Sequence, residues 1–228
     1  MTERGMIFNA EMVRAVLDGR KTQTRRALKL FQNAVSFTPE WDIDCQEIFV
    51  AMGKKDHTEM NPVLGAIRCP FGAVGDRLWV RETWQAIHDS LDEFGNVDER
   101  TWIPSIPKSS DSYWHAVYAE EFGVSNRVDR GFPWRPAIHM PRWASRITLE
   151  ITGVRVERLN DISENDARAE GVQPLRGGYW RHYQPEWTQH QLSARGSFAT
   201  LWKSIYGEES WQASPWVWVI EFKRVEDE

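Results

Sequence analysis

Cysteine is nearly absent. Only Cys45 and Cys69 occur in 228 residues, far apart and in no C-x-x-C pair, which argues against a disulfide framework and a zinc knuckle. Close histidine spacing is missing as well: the six histidines form no H-E-x-x-H or similar pattern, so no structural metal is expected. No apolar run approaches the roughly 18 residues that a membrane helix needs, and the first residues lack the apolar core of a signal peptide. The expectation is a cytoplasmic protein with no membrane partner. An excess of positive charge is lacking too. The formal net charge of −5 argues against extended duplex DNA as a partner, because phosphate neutralisation supplies most of that affinity.

Tryptophan is what the chain has in abundance, with 13 copies. Each buries a large area while keeping an N–H to satisfy, so the excess implies an aromatic core, a stacking surface, or both. The apolar share of 41% and charged share of 27% are those of a globular chain, and residues 1–228 are expected to form a single domain.

Periodicity sketches the elements. A short strand, MIFNA, leads to a helix in which Met12, Val13, Val16 and Leu17 recur at helical spacing, behind a cap at Asn9 and before a stop at Gly19. GDRLWVRETW reads as one alternating strand that places Leu78, Val80, Glu82 and Trp84 on one face. YWHAVYAE predicts another strand, and GFPWRPAIHMPRW, with three prolines, predicts extended chain. SRITLEITGVRVERL alternates across a bend or bulge at Gly153, and Ser163 caps a short helix that Gly171 ends. Phe198, Leu201, Trp202 and Ile205 then mark an amphipathic helix. In the last strand Trp216, Trp218, Ile220 and Phe222 share one side, as core residues would. Separated strands, few short helices and no βαβ rhythm predict an α+β chain built on a small barrel or rolled sheet. Residues 31–70, 88–112 and 173–195 show no sustained period and read as insertions, the first as a connection without a core of its own.

One stretch runs against the overall charge. Between Arg14 and Lys29 six cations face the single Asp18, and GRKTQTRR packs four of them beside two threonines just past a helix end. A solvated face is the plain explanation; a site for a small anionic or polar ligand is the other.

MIFNAEMVRAVLDGRKTQTRR, GDRLWVRETW, ISENDARAEGV and PWVWVIEFKRV together resemble the ASCH domain, a PUA-like β-barrel family, in a wording similar to that of phage and prophage copies. The resemblance spans about half of the chain and leaves the three insertions outside it. It implies a PUA-like barrel with short flanking helices and a role on RNA or nucleobases. One branch of the family removes the acetyl group of N4-acetylcytidine with a lysine and a threonine of the GRKTxT motif and a glutamate of a later helix. By motif position these are Lys21, Thr24 and Glu170. Arg25 stands where those hydrolases carry an apolar residue.

The chemistry asks for a nucleophile, a group to take its proton and a donor for the leaving nitrogen. Thr24 needs a base beside it. Lys21 can serve only if its pKa falls from about 10.4 towards about 7 to 8, through burial and nearby like charges such as Arg20, Arg25 and Arg26. Glu170 is expected at the negative end of a helix, where a neighbouring cation would compensate it. Lys21 and Thr24 would point to opposite faces of a regular strand, so this reading predicts a tight turn at Lys21. Substrate would be held by Arg20, Arg25 and Arg26, with Glu82 accepting from a cytosine amino group and Trp84 either stacking on a base or packing in the core. No metal or organic cofactor is required. The alternative from another class is a module that binds short RNA or a modified nucleotide in the same basic cleft without chemistry.

Overall fold

The computed structural model describes residues 1–88, 90–91, 94, 97–98, 105–108, 114–123, 125 and 131–225. Asn9 and Gly19 bound the first helix, as their types predict. After β1 (Glu3–Ile7), Asn9 Oδ1 accepts the Met12 amide at 2.8 Å and starts α1 (Ala10–Leu17). Gly19, at φ 72°, turns the chain out of the helix, and the amides of Arg20 and Lys21 both donate to the Ala15 carbonyl. β2 (Gln23–Ala27) follows at once.

The segment 31–70 has no core of its own, as expected from its sequence, but it is more regular than a plain connection. It forms an antiparallel sheet of β3 (Ser36–Trp41), β4 (Glu47–Met52) and β5 (Val63–Ile67) in that order. Its strands are short, and Pro39 sits in the edge strand, where no ladder N–H is required of it. The sheet donates Phe37 and Phe49 to the main core, where they meet Trp216 and Trp218 edge-on at 5.0 and 5.2 Å. Phe49→Ala should therefore cost about 3–5 kcal/mol in urea unfolding, the range for an aromatic removed from a packed core; a change of under about 0.5 kcal/mol, the surface range, would show this sheet to be peripheral.

β6 (Arg77–Arg81) ends before Glu82, and the single strand predicted through Trp84 is in fact two. The chain leaves the main sheet at Glu82 and Thr83, and β7 (Trp84–His88) begins a separate pair. β8 (Ser90–Leu91) and β9 (Val97–Asp98) pair with each other; most of the predicted insertion 88–112 lies outside the described residues. β10 (Trp114–Tyr118) pairs with β7 and runs into α2 (Ala119–Phe122). The proline-rich stretch predicted as extended holds two 3-10 turns, Ala137–His139 and Arg142–Ala144.

β11 (Thr148–Arg158) bulges between Ile151 and Gly153, where the glycine signal lay. Then come α3 (Glu164–Ala169), capped by the Ser163 hydroxyl, the predicted insertion at 173–195, a loop tied by bridges at Trp180, α4 (Ala194–Tyr206), α5 (Glu208–Gln212) and β12 (Trp216–Val225).

The fold is α+β. Its main sheet has the order β1-β6-β11-β12-β2, with β1 parallel to β6 and the other pairs antiparallel. Among the described residues β1 and β2 remain the edges of this sheet and do not pair, so no closed barrel forms. β12 is buried on both faces. Trp216, Trp218, Ile220 and Phe222 pack with α1 and the β3–β5 sheet, as their alternation predicts, while Val217 and Val219 pack under α3 and α4. Among the described residues no helix is long and apolar enough to cross a membrane.

Candidate active site

Three segments meet at the end of α3. The turn at Gly19 delivers Lys21 into an isolated antiparallel bridge with Glu170, and the Thr22 amide donates to the Ala169 carbonyl at 2.8 Å. The tight turn predicted at Lys21 thus lies two residues earlier, and Lys21 itself is paired backbone. Gly171 permits this seam. At φ 87° it holds a conformation that disfavours a side chain, and a Cβ there would stand 2.8 Å from the Cβ atoms of both Ala15 and Lys21.

The Lys21 side chain is fully buried, and its Nζ donates to Glu170 Oε2 at 2.8 Å and to the Glu170 carbonyl at 3.0 Å. Burial pushes the Lys21 amine below its ordinary pKa, outweighing the attraction of Glu170, and Arg26 and Arg25 push the same way. The other oxygen of Glu170 belongs to Arg25, whose Nη1 donates to Oε1 at 3.1 Å. Arg25 is as buried as Lys21 and is held from behind by Glu157, 2.9 Å from Nη2, with Asp166 at 3.6 Å. The carboxylate at the negative end of α3 therefore sits between two cations, the compensation that its position calls for.

Thr24 follows on β2, buried opposite Ile220 of β12. At this edge of the sheet, where alternation turns Arg25 toward α3 and α4 and Thr24 toward α1, a hollow is lined by Met12, Thr24, Arg25, Arg26 and Glu170 together with Phe198, Leu201, Trp202, Ile205 and Tyr206 of α4. The volume is about 10 Å³, room for about one water molecule. Lys21 reaches this hollow through the Glu170 carboxylate; among the described residues no hydrogen bond joins it to Thr24. Ile205 and Tyr206, both 42% exposed, form the rim.

The structure brings Lys21, Thr24, Arg25, Arg26 and Glu170 together, but not the remaining predicted residues. Arg20 clamps the Gly171 carbonyl at 2.6 Å and pairs with Asp18, so it braces the seam and does not face the hollow. Arg26 donates to the Ile7 carbonyl at 2.7 Å and stacks near Phe8, which ties the two edges of the main sheet while its side chain borders the hollow. Glu82 and Trp84 lie elsewhere. Glu82 is buried against Arg146, with Nε and Nη2 each 3.0 Å from its oxygens, and burial raises its pKa. Trp84 is fully buried against Trp143 and presents no stacking surface. Both were placed on one strand face with Leu78 and Val80, and the break before β7 is what carries them away.

Sequence reasoning missed Glu157 and Asp166, which hold Arg25, and it read the wall of the hollow as a plain core stripe. The signal for the wall was present: Phe198, Leu201, Trp202 and Ile205 are the residues that mark α4 as amphipathic. The charge excess near the N-terminus also has an internal use. Arg14 meets Glu120, Arg20 meets Asp18, and Lys21 and Arg25 are buried on Glu170. No family model, curated protein or solved structure matches this chain.

Proposed function

We propose that this hollow is the active site of an amidohydrolase that removes a small acyl group from the N4 nitrogen of an acylated cytidine, and that the chain is a divergent ASCH domain whose open sheet corresponds to the PUA-like barrel. One observation carries the reading: Glu170, whose carboxylate is held between a lysine and an arginine, lines the same hollow as Thr24. Thr24 Oγ attacks the acyl carbon, and its proton passes through the Glu170 carboxylate to the neutral Lys21 amine. When the C–N4 bond breaks, the proton returns by the same route to the leaving nitrogen, and cytidine departs. Water then attacks the Thr24 ester with the same groups taking its proton, which releases the acid and restores the hydroxyl. The sequence of steps uses only these side chains and water.

A whole nucleoside does not fit within about 10 Å³. Even an acyl group of three heavy atoms exceeds the room for one water, so Ile205 and Tyr206 must rotate outward to admit the acyl end, and the ring then rests on the rim. Half-exposed side chains make such rotamer changes within nanoseconds. The binding-only reading for short RNA draws less support, because phosphate contacts need free cations and four of the six cations of the basic stretch are engaged in the ion pairs described above.

The test is incubation with N4-acetylcytidine and chromatography of released cytidine. The folded protein should turn over, and Lys21→Ala should lose about 10²–10⁴-fold in kcat, the usual worth of general acid–base catalysis. No product from folded wild-type protein would contradict the reading. The rate should also depend on pH in one direction. Neutral Lys21 is the active form, so kcat/KM rises with pH through the Lys21 pKa, and burial places that rise below the value of about 10.4 for a free lysine.

A further inference from the structure

A second, larger cleft opens between the β3–β5 sheet and the start of the main sheet. Its volume is about 770 Å³, within the range of about 300–1,000 Å³ that small-molecule sites occupy. Strand alternation explains what lines it. Trp41 stands directly opposite Glu47, and Phe37 and Phe49 lie at even spacings from them, so all four share one face of the small sheet. Phe37 and Phe49 reach the tryptophans of the core. Trp41 lies beyond the end of that core and is 72% exposed, although it belongs to the face that packs on it. The facing wall is made by Thr2, Arg4 and the turn 72–76. Arg4 is held by Asp76 and Arg68 by Asp42, yet the two arginine side chains are 44% and 55% exposed, and both line the cleft.

The cleft therefore joins an open indole face, two guanidinium groups and a carboxylate. An indole face takes a flat heteroaromatic ring, and guanidinium groups take a phosphate. Glu47 adds selectivity. As the cross-strand partner of Trp41, with Cβ atoms about 5 Å apart in such pairs, it meets the edge of a ring laid on the indole. A carboxylate accepts two hydrogen bonds side by side, and guanine is the base whose Watson–Crick edge offers two adjacent donors, N1–H and N2–H. We propose that this cleft binds a guanine nucleotide, with the base stacked on Trp41 and donating to Glu47, and the phosphate on Arg4 and Arg68. Trp41, Glu47 and Arg68 belong to the segment 31–70, outside the stretches that resemble the ASCH domain, and the assignment is independent of the chemistry at Lys21.

The chain carries its own reporter. Cys45 is exposed and lines the cleft, whereas burial pushes the thiol of Cys69, the other cysteine, up to about 11. Thiolate is the form that reacts, so iodoacetamide at neutral pH reads Cys45. In calorimetry GMP should bind at least about fivefold more tightly than AMP, CMP or UMP, the lower bound for one bidentate base contact, and it should slow the alkylation of Cys45. Trp41→Ala, a change at an exposed position that leaves the fold intact, should weaken GMP at least about fivefold, the lower bound for one stacked base. Glu47→Gln should remove the preference for guanine. A 5′-phosphorylated dinucleotide that begins with guanosine separates the two sources of this chemistry: tighter binding than GMP assigns the cleft to an RNA end, weaker binding to the free nucleotide. No binding of GMP at millimolar concentration, equal affinity for the four nucleotides, or unchanged GMP binding by Trp41→Ala would each overturn the proposal.

Discussion

Glu170→Ala should be destabilised by about 3–5 kcal/mol in urea unfolding and should have no measurable deacylation, because the change leaves buried cations without their counter-charge. The Lys21 and Arg25 side chains are both 0% exposed, and the carboxylate takes one of them on each oxygen. Arg25 keeps Glu157, whereas Lys21 keeps only the Glu170 carbonyl. The destabilisation should therefore be largely relieved by adding Lys21→Met, which removes the stranded ammonium. Glu170→Gln should cost less than Glu170→Ala, since an amide preserves one acceptor and the volume, yet it should be as inactive, because an amide cannot carry the proton. If Glu170→Ala were as stable as wild type, the buried pair would not exist in solution.

Gly171→Ala has the next largest expected effect, for reasons that are steric and not electrostatic. The residue sits at φ 87°, and an added Cβ would stand 2.8 Å from Ala15 Cβ and Lys21 Cβ. A left-handed conformation costs a residue with a side chain about 1–2 kcal/mol. Forcing an extra methyl into packed atoms adds about 1–3 kcal/mol. The shift this demands moves Lys21 off the Glu170 carboxylate, so activity should fall with stability. Gly19→Ala is the control: φ is 72° there too, but nothing lies within 4 Å of the added carbon. It should show the conformational cost alone and retain its activity. Equal thermal shifts for the two variants would mean that the seam between α3 and Lys21 is looser than the structure has it.

The parts of this site that were legible in the sequence are those governed by local rules. Asn9, Gly19, Ser163 and Gly171 mark helix ends through hydrogen-bonding capacity and backbone freedom, and all four do so in the structure. The alternation of β12 foretells which tryptophans are core. What was illegible depends on contacts between distant segments. Gln23 and Arg25 share a strand face, but only the arrival of α3 makes that face a buried one carrying Glu170, Glu157 and Asp166 around a guanidinium. Of the two readings for Trp84, stacking on a base and core packing, the structure has the second, and it lies in a separate sheet pair because no local signal distinguishes a strand that continues from one that changes sheets at Glu82. The 31–70 sheet was hidden for a different reason: its strands are short and half exposed, so their periodicity is weak until Phe37 and Phe49 find their tryptophans.

Thr24 is the nucleophile of the proposed reaction and lines one hollow with Glu170. The most direct measurement is to quench the protein within its first turnovers of N4-acetylcytidine and to weigh the intact chain. The account predicts a gain of one acetyl group, mapped by peptide digestion to Thr24, that disappears as free acetate forms. Release of cytidine with no acetyl group on the chain, or with the group on another residue, would contradict it.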